Sequence, residues 1–328
     1  MRVNRRLVLS LVALVAVALG ATAAVSQASG NHQAKTKKIV MIIPIPCAAG
    51  PYFSAICKAG PAQAKLTPGV TLELKTLTTP DNQAYINLLQ TTEAAEHPDG
   101  YILMPTSATA LLPELKKITA AGAKVLFIDS NVPGLKGSVT FIGTDNKAAG
   151  QQAAQWLIQN ASEAKSRQVG MIENAPGITS TDDRAAGFKA ALKGSGFTVV
   201  AQAASQNPCD TNFARTNAQN FLTAHPNIGA IFNVCDPFAL GTVQALQAAG
   251  KKGVLNIGVD GIPANVKFIL NNKYYNADIA QNPKLIGSYG VKYMALALKG
   301  GSVPKRIDTG LQTVTRTNAK FYLSHNNY

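Results

Sequence analysis

Residues 225–260 read HPNIGAIFNVCDPFALGTVQALQAAGKKGVLNIGVD, and this stretch decides the fold. An apolar run at 230–234 is followed by a helical period over 237–249 and by a second apolar run that ends at Asp260. Short apolar runs that alternate with longer helical segments are typical of βαβ units, in which helices cover a parallel sheet. The stretch therefore predicts strand, helix and parallel strand, with an aspartate at the carboxyl end of the second strand.

The first half of the chain repeats this design. Residues 97–104 read HPDGYILM, and Ala-Ala-Gly at 120–122 precedes a strand that ends at Asp129, as the same tripeptide at 248–250 precedes the strand that ends at Asp260. A repeat at this interval has the size of a domain rather than of a solenoid unit. The length of 328 residues also exceeds what one hydrophobic core usually organises. The sequence therefore predicts two α/β lobes of common design, each a doubly wound, Rossmann-like parallel sheet.

The same alternation runs through the rest of the chain. Helices are clearest at 107–121, 146–159, 211–224 and 237–249. Strands are predicted at 38–44, 70–76, 100–104, 124–129, 140–143, 169–173, 198–201, 229–234 and 254–259.

Two aspartates mark a candidate site. In open α/β sheets, ligands lie beyond the carboxyl ends of the strands. If the two lobes face each other, Asp129 and Asp260 reach one cleft from opposite sides, beside Met104 and Cys235 at the ends of neighbouring strands. A single aspartate after a strand is about as often a helix cap, so it is the repeat that favours a binding role.

The first 28 residues have the pattern of a signal peptide. Arg2, Arg5 and Arg6 precede an apolar run at 7–19, which is too short to span a bilayer, and an A-x-A cleavage pattern follows at 21–23, with Ala28 as an alternative. A retained anchor is the competing interpretation. No cysteine follows closely enough to accept a lipid, and the export route, Sec or Tat, stays open. We expect a periplasmic or secreted protein.

The basic charge does not indicate a nucleic-acid partner. The formal net charge is +14, or +11 without the three leader arginines, but the basic residues are spread along the chain without aromatic interleaving or a recognition motif. The four histidines are scattered and no C-x-x-C motif is present, so no metal or other cofactor is expected.

Four cysteines in an exported protein predict disulfides, with three possible connectivities. Cys47 and Cys57 flank one loop after the first strand. Cys209 and Cys235 belong to the same end of the second predicted sheet, where neighbouring strands are about 4.8 Å apart. We expect the pairs Cys47–Cys57 and Cys209–Cys235, because the other pairings would join the lobes across the cleft. Free buried thiols are the alternative.

Several short motifs, in this order and spacing, resemble the type I periplasmic binding proteins of the ribose-binding, LacI-like group. They are Pro51-Tyr52-Phe53, Pro105-Thr106, Gly143-Thr144-Asp145-Asn146, Arg184-Ala185-Ala186-Gly187-Phe188, Cys235-Asp236, Ala239-Leu240-Gly241, Gly258-Val259-Asp260-Gly261 and Ala280-Gln281. The resemblance covers nearly the whole mature chain. It implies two lobes joined by three hinge crossovers, with residues 37–143 and 282–313 in the N-terminal lobe and 144–281 and 314–328 in the C-terminal lobe.

The resemblance also implies a set of ligand-binding residues. Its aromatic positions fall on Tyr52, Phe53 and Phe213, and its polar positions fall on Asp129, Arg184, Asp260 and Gln281, with Cys235 beside them. Each has an alternative. Phe53 and Phe213 would also suit the core, Arg184 would also pair with Asp182 or Asp183, and Gln281 would also cap the helix that follows it.

Four positions depart from the ribose-binding pattern. Gly50, Met104 and Cys235 stand where an asparagine is usual, and Ser130 stands where an arginine is usual. Polar side chains are thereby lost or replaced, so ribose itself is not expected. A deoxy sugar, a larger pyranose, a polyol or another polar metabolite remains open.

We therefore expect a monomeric binding protein that captures a sugar or polyol by hinge closure and passes it to the permease of an ABC importer. Presentation of the ligand to a membrane sensor or chemoreceptor is the alternative. The sequence has no nucleophile elbow, HExxH helix, P-loop or GxGxxG fingerprint, so an enzyme is not expected. A glycosidase that uses Asp129 and Asp260 is the remaining catalytic alternative. A transcriptional regulator would carry a helix-turn-helix where this chain has its leader.

Overall fold

The computed structural model describes residues 35–271, 274–325 and 328, so the predicted signal peptide at 1–28 lies outside the described residues. Within this part of the chain, two six-stranded sheets carry helices on their faces. None of the described helices has the length and apolar character needed to cross a membrane. The predicted fold class, two doubly wound α/β lobes, is confirmed.

The first sheet has the strand order β11-β5-β4-β3-β1-β2, with all pairs parallel. Its strands are β1 (Lys37–Ile43), β2 (Val70–Thr76), β3 (Gly100–Leu103), β4 (Lys124–Ile128), β5 (Phe141–Gly143) and β11 (Arg306–Asp308). Its helices are α1 (Pro51–Lys65), α2 (Asn82–Glu96), α3 (Leu112–Ala120) and α9 (Pro283–Leu298). We call this sheet with its four helices the first lobe.

The side chains of strand β1 are buried on both faces of the sheet. Its residues Ile39, Met41 and Ile43 belong to a buried cluster with side chains of α1 and α9, and Val40 and Ile42 belong to another with side chains of α2 and α3. Successive side chains of a strand point to opposite faces, so a strand buried on both faces is continuously apolar.

The second sheet has the equivalent order, β12-β10-β9-β8-β6-β7. Its strands are β6 (Gln168–Asn174), β7 (Thr198–Ser205), β8 (Ala230–Asn233), β9 (Leu255–Asp260), β10 (Ala277–Ala280) and β12 (Gln312–Thr315). Its helices are α4 (Asn146–Gln159), α5 (Thr179–Leu192), α6 (Thr211–Ala224), α7 (Asp236–Ala248), α8 (Pro263–Asn271) and α10 (Ala319–His325). We call this sheet with its six helices the second lobe. The edge strand β12 pairs antiparallel with β10, so this sheet is not wholly parallel as expected.

The chain passes between the sheets three times, as expected from the resemblance. The passages lie between β5 and α4, between β10 and α9, and between β11 and β12.

Some predicted boundaries were wrong. The helix predicted at 107–121 begins at Leu112, because Pro113 suits the first helical turn and Ser107 instead forms a turn in which its hydroxyl accepts from the Ala110 amide. Strands β10, β11 and β12 were not predicted. Each is only three or four residues long and mixes polar with apolar side chains.

Candidate ligand-binding site

A cavity of about 660 Å³ lies between the two lobes, at the carboxyl ends of the strands. Six of the eight residues expected to bind ligand line it, namely Tyr52, Phe53, Asp129, Arg184, Cys235 and Asp260. The remaining wall is largely apolar and includes Pro44, Ile45, Pro51, Pro80, Met104, Pro105, Ile178, Pro208, Pro237, Leu240 and Ile262.

Arg184 reaches the cavity because α4 and α5 pack at glycines. A Cβ at Gly150 would collide with the backbone of Arg184, and a Cβ at Gly187 would collide with the backbone of Lys147. This close approach brings Asn146, the first residue of α4, next to Arg184. Its Oδ1 accepts from Arg184 Nε at 2.9 Å.

The guanidinium of Arg184 also links two strand ends of the second lobe. Its Nη1 donates to the Val234 carbonyl at 2.8 Å and to Asp260 Oδ1 at 3.1 Å. Arg184 is 2% exposed and Asp260 8% exposed. A charge-assisted hydrogen bond at this depth fixes both side chains.

Asp260 is held from three further directions. Gln281 Nε2 donates to its Oδ1 at 2.7 Å, the Asp236 amide donates to its Oδ2 at 3.2 Å, and the Tyr328 hydroxyl donates to its carbonyl at 2.9 Å. The next residue, Gly261, has φ +82°, and a Cβ there would collide with Ala280 and Tyr322. Only glycine allows this turn to place Asp260 at the cleft.

On the first lobe, Tyr52 and Asp129 form the polar contact. The Tyr52 hydroxyl donates to Asp129 Oδ1 at 2.6 Å and lies 3.3 Å from Gln281 Oε1. Gln281 thus bridges Asp260 of the second lobe and Tyr52 of the first at the β10–α9 crossover.

Burial sets the protonation of these groups. Burial raises the pKa of Asp129 and of Asp260, and the Arg184 guanidinium opposes the rise at both carboxyls. Burial, strengthened by the Asp129 charge, holds the pKa of Tyr52 well above its ordinary value, so this hydroxyl stays a donor.

Backbone conformation also marks this region. Four described non-glycine residues have positive φ, and three of them line the cavity: Asp129 (+62°), Cys209 (+54°) and Asp260 (+137°). Such conformations cost of order 1–3 kcal/mol each and cluster at functional sites.

Both lobes brace the site with disulfides, as predicted. Cys47 and Cys57 are bonded with Cα atoms 6.0 Å apart, and Cys209 and Cys235 are bonded with Cα atoms 6.3 Å apart. The second disulfide forms part of the cavity wall. Asn174 Oδ1 accepts from the Cys209 amide at 2.9 Å and fixes that loop to the end of β6.

Two expected contact residues do not line the cavity. Phe213 lies in the first turn of α6, where the Asp210 side chain accepts from its amide. Its ring packs against that of Phe238, with ring centroids 6.2 Å apart. Its position therefore matches the core alternative. Gln281 lies behind Asp260 and Tyr52 and supports them. It is not the cap of α9, since Asn282 accepts from the Leu285 amide.

The sequence interpretation missed a row of contacts that joins the lobes. The hydroxyls of Ser130 and Ser180 are 2.8 Å apart, the Asn131 amide donates to Thr179 Oγ1 at 2.9 Å, and the Ala108 amide donates to the Gly177 carbonyl at 2.9 Å. Ser180 precedes Arg184 by four residues on α5. Helical spacing alone would have placed it on the same face.

Comparison with protein families and curated proteins gives consistent matches. Residues 39–302 match the model of the periplasmic binding protein domain. The chain is 33% identical over 220 residues to the ribose import binding protein of Salmonella typhimurium (strain LT2), which covers 66% of this chain and 71% of that protein.

Solved structures agree on the fold. A glucose-galactose binding protein from Geobacillus stearothermophilus superposes with a TM-score of 0.80 at 23% identity, covering 87% of this chain and 99% of that one. An ABC transporter solute-binding protein from Agrobacterium vitis with bound D-fucose superposes with a TM-score of 0.78 at 26% identity, covering 86% and 96%.

Proposed function

The chain belongs to the periplasmic binding protein family, and on this premise we propose that it captures a neutral sugar or polyol between its lobes and delivers it to an ABC importer. One observation carries the proposal. Asp129 of the first lobe and Arg184 and Asp260 of the second converge on a single interlobe cavity. The matched relative is named as a ribose import binding protein, and one matched structure contains bound D-fucose.

The chemistry of the cavity suits a hydroxylated ring. Carboxylates accept from hydroxyl groups, and a guanidinium donates through a planar fork. The ring of Phe53 lines the same cavity and makes an edge contact with Tyr52, with centroids 5.6 Å apart. An aromatic face of this kind packs on the C–H face of a sugar.

The position of these groups on both lobes supports hinge closure. A ligand held by Asp129 and Arg184 together would bridge the lobes and shift an open–closed equilibrium toward the closed state. We expect small-angle scattering to show a smaller radius of gyration when a tight ligand is added. An unchanged radius would count against closure.

We also propose where capture occurs and how the chain divides. Export by the leader at 1–28 would place a monomer outside the cytoplasmic membrane, where the importer's permease is its partner. The lobes would then comprise residues 37–143 with 282–313, and 144–281 with 314–328. N-terminal sequencing of the protein recovered from the cell envelope fraction tests export, and gel filtration tests the monomer.

A thermal-shift screen of pentoses, hexoses, deoxy sugars, glycosides and polyols, followed by calorimetry, tests the function itself. A ligand that binds the native state raises the melting temperature. We expect at least one compound to raise it and to bind with a stoichiometry of one. If no sugar or polyol binds, the proposed function is wrong. The variant Asp129→Asn serves as the site-directed control, since its weaker binding should give a smaller shift at the same ligand concentration.

A further inference from the structure

We infer that the preferred ligand has two chemically different parts: a hydroxylated part held by Asp129 and Arg184, and an apolar part, such as a deoxy carbon, an alkyl group or an aryl group, held by the apolar side chains of the same cavity. The inference rests on the proposed function and names the class of sugar.

The first argument is that several polar side chains of the cavity lining are already bonded to protein groups. Asp260 already accepts from Arg184, Gln281 and the Asp236 amide. The Ser130 and Ser180 hydroxyls contact each other.

Two further polar groups of the lining are likewise engaged with protein. Thr106 Oγ1 donates to Asn82 Oδ1 at 2.7 Å, and Asn265 Nδ2 donates to the Asp236 carbonyl at 2.6 Å. A ligand hydroxyl therefore finds few partners at these positions.

Among the charged groups of the lining, Arg184 and Asp129 keep spare hydrogen-bonding capacity. The bonds of Arg184 use Nε and Nη1, and within the described part of the chain Nη2 has no protein acceptor. Asp129 receives one short bond, from Tyr52, and a longer one from Ser130 at 3.3 Å. Arg184 and Asp129 can thus bind a small number of ligand hydroxyls.

The second argument is the composition of the remaining wall. Phe53 and Met104 from the first lobe face the same cavity as Ile178, Leu240 and Ile262 from the second. A hydroxyl buried against such a wall loses its water partners and gains none, whereas an apolar group gains by leaving water.

The third argument is charge. The lining holds two carboxylates, Asp129 and Asp260, and one guanidinium, Arg184, which is already paired with Asp260. An acidic or phosphorylated sugar would place a further negative charge beside two buried carboxylates that share one guanidinium. The ligand should therefore be neutral.

Calorimetry with matched pairs of sugars tests the inference. The pairs are D-galactose with D-fucose, D-glucose with phenyl β-D-glucopyranoside, and D-ribose with methyl β-D-ribofuranoside. Since one added or missing methylene in an apolar pocket changes binding by about tenfold or more, we expect the apolar member of at least one pair to bind about tenfold more tightly.

The outcomes separate the two proposals. If parent sugars bind as tightly as their apolar partners or more tightly in every pair that binds, the inference is wrong and the proposed function stands. If no member of any pair and no sugar of the wider screen binds, both are wrong.

Variants of Met104 and Leu240 test whether these apolar side chains cause the preference for the sugar with the apolar group. Met104→Asn should reduce the preference for the apolar member several-fold, while Met104→Leu should keep it. Leu240→Asn, at a partly exposed position, repeats the test if Met104→Asn does not fold. Leu66→Asn, on a side chain that is 77% exposed outside the cavity, is the matched control. An unchanged preference in a folded cavity variant would overturn the inference.

Discussion

Arg184 and Asp260 form a buried ion pair at the base of the cleft, with Nη1 3.1 Å from Oδ1. The same carboxylate accepts from Gln281 and from the amide at the start of α7. Asp260 therefore belongs both to the candidate site and to the framework of the second lobe, and mutations there act on binding and on stability together.

Arg184→Ala and Asp260→Ala should each weaken sugar binding by roughly 2–4 kcal/mol, because a buried charged hydrogen bond loses one partner. Each variant should also lose on the order of 3–5 kcal/mol in its free energy of unfolding, because the remaining charge is left unpaired in the interior. Calorimetry and urea unfolding measure the two effects. Unchanged affinity in both folded variants would remove this pair from the site.

Asp129→Asn should separate binding from stability. Asparagine keeps an acceptor for the Tyr52 hydroxyl and tolerates the positive φ of 62°, so we expect a melting temperature close to that of the wild type. Affinity should fall by roughly 1.5–3 kcal/mol, since hydrogen bonds to charged groups contribute about that much. Asp81→Asn, which caps α2 outside the cavity, is the matched control. Equal affinity in the two variants would contradict a contact role for Asp129.

Thr179→Val should speed ligand dissociation without altering the cavity lining. Thr179 Oγ1 accepts from the Asn131 amide across the cleft, and valine removes that acceptor at nearly the same volume. A net loss of about 0.5–1.5 kcal/mol corresponds to roughly a 2- to 12-fold weaker Kd. Stopped-flow measurement of the dissociation rate checks this. Thr223→Val, on the exposed face of α6, should leave the rate unchanged.

Asp278→Asn should stabilise the protein at neutral and alkaline pH. Burial, reinforced by the charge of Asp260, raises the pKa of Asp278 to about 7, and the nearby Asp236 carboxyl is also buried. Between about pH 4, near the unfolded pKa of Asp278, and about pH 7, near its folded pKa, the native state keeps a proton on this carboxyl that the unfolded state has released. The wild type therefore loses stability as the pH rises from about 4 to about 7.

Asparagine removes this ionisation and keeps an acceptor for the Gly261 amide, which now donates to Asp278 Oδ1. We expect a gain on the order of 4 kcal/mol at pH 8, since a pKa difference of about 3 units corresponds to about 1.4 kcal/mol per unit. The gain should disappear near pH 4, and urea unfolding at both pH values measures it. Asp308→Asn, an exposed carboxylate, is the control. A gain of equal size at pH 4 would contradict the titration account.

Loss of the Cys47–Cys57 disulfide should weaken ligand binding as well as lower the stability of the protein. The bond encloses Ala49–Phe53, a segment that lines the cavity. Because the closed loop is short, we expect the free energy of unfolding to fall by at most about 3 kcal/mol. We expect the affinity to fall roughly tenfold, because the loop is no longer preorganised for binding. The double variant Cys47→Ser/Cys57→Ser tests both by thermal unfolding and calorimetry. Wild-type affinity in the folded variant would show that the bond does not organise the site.

The architecture was predictable from the sequence because local signals agree with the global fold. Apolar runs at 100–104 and 230–234, each followed by a helix and by a strand that ends in Asp129 or Asp260, determine the two equivalent sheets. The position of the aspartates follows from the rule that parallel strands end at one edge of a sheet.

Other features depend on tertiary contacts that the hydrophobic pattern of the sequence does not predict. Phe213 turns toward Phe238 because Asp210 starts α6 just before it. The approach of α4 and α5 at Gly150 and Gly187 places Arg184 against Asp260, not against its sequence neighbours. The contact between Ser130 and Ser180 exists only because two separate lobes meet.

The most direct test of this account is a crystal structure of the protein with the tightest compound from the sugar screen. We expect the ligand between the lobes, with hydroxyl groups within hydrogen-bonding distance of Asp129 and Arg184 and with its apolar part against Met104 and Leu240. A ligand bound to one lobe alone, or at another surface, would contradict the account.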